Sequence, residues 1–271
     1  MSESCSSSCS GSCGSCSSCG GCGEDKLAKK MALVSRKIFV LSGKGGVGKS
    51  SVAATIALQL AASGRKVGLL DCDFHGPSLP TILGVTHKKL DYSEENGIIP
   101  LPMGNLKFLS VGLLIDDPDQ AIVWRGPAKM GVIKQLLEDT CWGKLDDLVL
   151  DFPPGTGDEI LSACQLIPGE KNAIIVTTPQ EVSLADCRKC LDFCRKLELK
   201  VLGIVENMSS FICPDCGKIH KLFSSDGGKS LAESYKLPLI AQLPLNPAFM
   251  EACDSGKLPE KISEFPSLLN F

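Results

Sequence analysis

Residues Gly43-Lys44-Gly45-Gly46-Val47-Gly48-Lys49-Ser50 constrain this chain more than any other stretch. They satisfy the pattern G-x-x-x-x-G-K-[ST], and their surroundings suit it. An apolar run, Ile38-Phe39-Val40-Leu41, precedes them and reads as a strand covered on both faces. A helical stretch follows, from Ser51 to Ala62, stopped by Ser63-Gly64. Glycines allow the backbone to turn its N–H groups toward phosphate oxygens. The N-terminus of the following helix adds partial positive charge. A nucleotide is therefore expected against Gly43, Lys44, Gly45, Gly46, Val47, Gly48, Lys49, Ser50 and Ser51. In such a loop Lys49 reaches the β- and γ-phosphates, and the Ser50 hydroxyl ligates Mg2+.

The rest of the chain continues the strand–helix alternation. Strands are expected at 67–70, 107–111, 148–150, 173–177, 201–205 and 239–242. Helices are expected near 127–138, 183–197, 229–235 and 247–255. The pattern predicts an α/β fold, a mostly parallel sheet with helices on both faces. Ligands in such folds lie beyond the carboxyl ends of the strands. Asp71 and Asp151 end two of the predicted strands, and Asp73 follows Asp71 by two residues. Asp151 suits a Mg2+ ligand acting through water, and Asp73 suits a group that orients an attacking water. Asp158 is expected to cap a helix.

Cysteine sets this composition apart: there are 15. Six stand between Met1 and Gly23, where 21 of 23 residues are Ser, Gly or Cys, so the segment has almost nothing to bury. We divide the chain into a flexible Cys-rich tail (1–24), a basic linker (25–36), the phosphate-loop domain (37–260) and a C-terminal extension (261–271). Cys5, Cys9, Cys13, Cys16, Cys19 and Cys22 offer more thiols than one cluster requires, and their spacing does not choose among them. Clustered thiols with no export signal point to a reducing, cytoplasmic setting and to metal chemistry rather than disulfides. Cys187, Cys190 and Cys194 share one face of a predicted helix with Leu191 and are expected in the core. With 28 Lys and Arg against 31 Asp and Glu, and 5% aromatic residues, the chain has neither the charge nor the stacking surface for nucleic acid. No apolar run is long enough to span a membrane.

Cys213-Pro-Asp-Cys216 offers two thiolates, half of a four-coordinate site. A two-fold dimer would supply two plus two. A [4Fe–4S] cluster needs four such ligands. Zinc with His220 as a third ligand stays open, as does a pair that holds no metal.

The string GKGGVGKS resembles the deviant phosphate loop of the nitrogenase iron protein and MinD class of ATPases. In that class the early lysine, here Lys44, reaches across a homodimer interface to the partner's nucleotide. Together with Asp71-Cys-Asp73-Phe-His-Gly-Pro-Ser78, Trp124-Arg-Gly-Pro127, Asp151-Phe-Pro-Pro-Gly-Thr-Gly-Asp158, Asn207-Met-Ser209 and Cys213-Pro-Asp-Cys-Gly217, it is similar to the Mrp/ApbC family of iron–sulfur cluster carrier ATPases. The likeness runs from about Lys37 to Pro259. It implies an ATP-hydrolysing homodimer with a labile [4Fe–4S] cluster bridged by Cys213 and Cys216. The cluster would come from a donor and pass to apo iron–sulfur proteins, with neither nucleic acid nor membrane as partner. It places Lys44, Lys49 and Asp73 in catalysis, and Asn207 against the adenine, with Pro244-Leu245-Asn246 alongside.

Overall fold

The structure, a computed structural model, describes residues 22–74, 76–94, 97–114, 126–213, 215–223 and 226–271, without the side chains of 22–25 and 126–128. The tail cysteines Cys5 to Cys19, His75, Trp124 and Arg125 lie outside the described residues, as does the side chain of Cys22. In chain order the elements are α1 (Cys22–Ala32), β1 (Val34–Ser42), α2 (Lys49–Ala62), β2 (Val67–Asp71), α3 (Leu79–Ile82), β3 (Asp91–Ser93), β4 (Gly97–Ile99), β5 (Leu101–Met103), β6 (Leu106–Ser110), α4 (Gly126–Glu138), β7 (Leu145–Asp151) and α5 (Asp158–Leu166). They continue with β8 (Asn172–Thr177), α6 (Glu181–Lys196), β9 (Lys200–Glu206), β10 (Phe211–Ile212), β11 (Ile219–His220), α7 (Gly227–Tyr235), β12 (Leu239–Gln242), α8 (Pro247–Asp254) and α9 (Leu258–Lys261).

One sheet carries the order β12-β9-β8-β1-β7-β2-β6-β5, parallel throughout except for the β5 edge. Side chains alternate across it, so each strand feeds two cores. Phe39 and Leu41 of β1 enter one core with Leu148 and Leu150 of β7, under the helices α1, α4 and α6. Ile38 and Val40 enter the other with Val149, beneath α2. Burial on both faces is why these strands read as continuous apolar runs rather than as alternating ones.

Three expectations change. Residues 25–36 do not form a bare linker: α1 runs through them and β1 begins at Val34. Leu27 and Met31, four apart on one helical face, are buried in the core, which the basic residues between them obscured in the sequence. Residues 261–271 are no free extension, since Leu268 is fully buried against the α2 side. Asp158 does not cap α5; Gly157 takes that position, and Asp158 stands in the first turn, where its charge still suits the helix dipole. The three cysteines of α6 are buried as expected.

Candidate nucleotide site and cysteine hairpin

Register brings the site together. On adjacent parallel strands Val40 of β1 lies opposite Asp151, Asp71 lies opposite Asp151, and Asp71 lies opposite Ser110. The carboxyl edge of the sheet thus carries Asp71, Ser110 and Asp151 in one row with Val40, and Ser42, two residues farther along β1, leads into the Gly43–Ser50 loop. Gly46 and Gly48 adopt φ values of 77° and 83°, a left-handed backbone that side chains resist. Gly43 serves a different need: a Cβ there would overlap the backbone of Asp186 and Cys187, so its absence allows α6 to lie against the loop. The Ser42 hydroxyl donates to the Lys44 carbonyl at 3.0 Å. The Lys44 side chain itself is exposed.

Lys49 is buried, and its Nζ donates to Asp151 Oδ1 at 2.5 Å and to Ser50 Oγ at 3.3 Å. The other Asp151 oxygen, Oδ2, is buried with no hydrogen-bond partner among the described residues. Asp71 accepts from the Asp73 N–H at 3.0 Å and from the Ser110 hydroxyl at 2.9 Å. Burial, reinforced by the neighbouring Asp151 charge, pushes the Asp71 carboxyl up to about 8. Burial also raises Asp151, against the opposing pull of Lys49. Asp73 is half-buried, accepts at Oδ1 from the Gly76 N–H at 3.3 Å, and adds its own charge to the field at Asp151. Asn207, just beyond β9, donates through Nδ2 to the Val47 carbonyl at 2.9 Å and accepts at Oδ1 from Met208 N–H at 3.0 Å. One crevice therefore gathers the loop, Asp71, Asp73, Asp151 and Asn207.

Cys213 follows Asn207 by six residues. It sits at the tip of the β10–β11 hairpin, where Cys213 N–H donates to the Lys218 carbonyl at 3.0 Å and Gly217 N–H to the Cys213 carbonyl at 2.9 Å. The thiol of Cys213 is held below its ordinary value by the N–H groups of Cys216 and Asp215, with the Cys216 thiol alongside. Cys216 is exposed, as are Ile212 and Ile219 beside it. Among the described residues no three His, Cys, Asp or Glu side chains converge to hold a metal. The structure therefore does not bring His220 to the two thiols as the third ligand of a zinc site; the ring pairs with Phe211 across the hairpin, centroids 6.5 Å apart.

A model for the ParA group, described as NUBPL iron-transfer P-loop NTPase, matches residues 33–266. The chain belongs to this family. Relatives within it include the iron-sulfur cluster carrier protein of Saccharolobus solfataricus, 48% identical over 86% of this chain and 78% of that one. The human cytosolic Fe-S cluster assembly factor NUBP2 is 44% identical over 87% of this chain and 88% of its own. Among solved structures, the nucleotide-binding protein of Archaeoglobus fulgidus in complex with ADP, with cobalt found in it, superimposes with a TM-score of 0.79 at 35% identity, covering 92% of this chain and 96% of that one. The septum site-determining protein MinD of Pyrococcus horikoshii, with Mg-ADP, superimposes with a TM-score of 0.60 at 25% identity, covering 85% and 90%.

In this member of the NUBPL iron-transfer family, sequence reasoning missed Ser110 and Glu206. Ser110 ends a strand, as Asp71 does, which was the available signal. Glu206 is buried and accepts from the Gly228 N–H at the start of α7 and from Gln242 Nε2 at 2.8 Å. Nothing in the sequence pattern distinguishes it from an ordinary surface glutamate. Asn246 uses its side-chain oxygen to cap α8, accepting from Ala248 N–H at 2.9 Å and Phe249 N–H at 3.3 Å.

Proposed function

We propose that this chain binds and hydrolyses ATP and carries a [4Fe–4S] cluster, shared between two copies, for delivery to apo iron–sulfur proteins in the cytoplasm. The observation that carries the reading is the pairing of a phosphate-loop site with a two-thiol hairpin for which no third ligand converges among the described residues. Two thiolates from each of two copies would give the four that the cluster, as cargo, requires. The names of the relatives support the cargo, and the ADP and Mg-ADP complexes of the structural neighbours support the nucleotide.

The residues present fit Mg2+. Asp151 Oδ2 is a buried acceptor without a partner, and Ser50 Oγ stands beside it in the same charged group. A bound Mg2+ would neutralise charge on the β- and γ-phosphates. The loop N–H groups would hold the phosphates. Lys49, fixed now by Asp151, would turn its ammonium to the γ-phosphate. Asp73 would orient the attacking water, which breaks the γ-phosphorus bond to release ADP and phosphate. Asn207 would lie against the adenine. The exposed Lys44 would reach the partner copy's nucleotide, so that ATP tightens the dimer whose halves hold the cluster. Such coupling requires ATP to favour one dimer arrangement over another.

The test is anaerobic reconstitution with iron and sulfide, followed by iron counting and absorption spectra on the parent and on Cys213→Ser. The variant is expected to lose about four irons per dimer. Unchanged iron would move the cargo site away from the hairpin. Equal delivery to an apo acceptor by Lys49→Ala would remove nucleotide from the mechanism.

A further inference from the structure

The cysteine hairpin belongs to an excursion that leaves the sheet after β9 and returns at α7. Asn207 opens it, Cys213 and Cys216 lie at its hairpin, and Gly227 begins the returning helix. The outgoing side is fastened to the segment that follows β12. Ser209 N–H and Ser209 Oγ donate to the Leu243 carbonyl at 2.9 and 3.0 Å, and Leu245 N–H donates to the Ser210 carbonyl at 2.7 Å. Phe211 forms a parallel bridge with Leu245.

Glu206 fastens the returning side. It ends β9, directly before the excursion starts, between Thr177 of β8 and Gln242 of β12. Its Oε2 accepts from Gly228 N–H in the first turn of α7, and its Oε1 accepts from Gln242 Nε2 at 2.8 Å. One buried side chain therefore ties residue 206 to residue 228, the two feet of the excursion. The contact is close: a Cβ on Gly228 would lie 2.7 Å from Glu206 Oε2 and 2.8 Å from Glu206 Cβ, so a side chain there would displace the carboxylate. The contact is also charged. Negative charge is favoured at the first turn of a helix, and a hydrogen bond to an ionised acceptor is about twice as strong as a neutral one. Helix α7 has no acidic residue in its own first turn, and Asp226 before it makes no side-chain capping bond. Glu206 supplies that charge from another element.

We infer that Glu206 is the positioning residue of the cysteine hairpin: by gripping Gly228 it fixes the returning foot of the excursion and so holds Cys213 and Cys216 where a second copy's pair completes the cluster. This rests on the hairpin carrying the cluster, as proposed above. The experiment compares the parent, Glu206→Ala, Glu206→Gln, Gly228→Ala and Asp147→Ala, each as the full chain reconstituted anaerobically. Asp147, buried at the amino end of β7, is the stability control. Three quantities are measured: the rate at which a ferrous chelator removes the iron that Cys213→Ser lacks, amide hydrogen exchange over 211–220 in the iron-free protein, and the melting temperature. Glu206→Ala is expected to lose that iron roughly tenfold faster, the scale of one hydrogen bond, and to exchange 211–220 faster. Gly228→Ala should do the same, although alanine is favoured over glycine within a helix. It disturbs the contact without emptying the buried site, and it decides the matter should Glu206→Ala fail to fold. Glu206→Gln, whose amide oxygen still accepts from Gly228 N–H, should stay within about threefold of the parent. Asp147→Ala should melt lower yet keep the parent's iron loss and exchange. Parent-like iron loss or parent-like exchange in Glu206→Ala would overturn the inference. So would iron loss in Asp147→Ala as fast as in Glu206→Ala, which would reduce the effect to general stability. A parent whose iron does not depend on Cys213 would overturn the cargo reading, and exchange over 211–220 would then decide the Glu206 contact by itself.

Discussion

Gly48→Ala tests the loop geometry most directly. Gly48 has a φ of 83°, and a Cβ built there would overlap Asn207 Nδ2. The left-handed backbone costs a non-glycine residue about 1–2 kcal/mol. Displacing Asn207 also breaks its 2.9 Å bond to the Val47 carbonyl, about 1 kcal/mol more. The sum is about 2–3 kcal/mol, concentrated in the phosphate loop. If the bound state needs the parent loop, ADP affinity should fall by roughly 30- to 150-fold. Titration calorimetry on the parent, Gly48→Ala, Asn207→Ala and the double variant separates the two parts. The Asn207–Val47 bond can be lost only once, so the double variant should fall short of additivity by about 1 kcal/mol. Strict additivity would show that Asn207 is not what the new methyl meets, and the packing argument would fail. An unchanged affinity in Gly48→Ala would refute the loop geometry as well.

Three further outcomes follow from the same row of residues and its surroundings. Asp71 has a folded value of about 8 against 3.8 for the free carboxyl, so its contribution to stability is present at low pH and lost as pH rises from about 4 to about 8. Melting temperatures of the nucleotide-free protein should therefore fall less steeply over that range in Asp71→Asn than in the parent; parallel slopes would contradict this. Lys44→Ala should keep single-copy ADP affinity and lose about 1000-fold in ATP turnover, the scale of a cation supplied across an interface; retained turnover would place the lysine outside the reaction. Asp147 is buried at the amino end of β7, where Arg36 Nε donates to it at 2.6 Å and Arg65 Nε donates to its other oxygen. Asp147→Ala should cost about 2 kcal/mol in urea unfolding, reduced by the partial exposure of both arginines, with ADP affinity unaltered.

Much of the molecule was legible because local rules suffice where burial is complete. The apolar runs of β1, β7 and β8 could only be central strands, and a phosphate-loop pattern between strand and helix has one arrangement that satisfies its backbone. Asp71 and Asp151 were visible as acids at strand ends. The α1 helix was hidden because its two buried residues are scattered among lysines, and the packing of 261–271 was hidden because it depends on α2, some two hundred residues earlier. His220 looked available as a ligand until the hairpin paired it with Phe211.

Spacing and residue type alone determined the phosphate loop, the parallel sheet and the presence of a two-thiol motif, since each is a matter of near neighbours and periodicity. Only the tertiary structure decided that Asp71 and Asp151 stand in register, that Asn207 grips Val47, and that Glu206 fastens the start of α7. Those contacts join residues far apart in sequence, and their energies come from burial and geometry that exist only once the layers have packed.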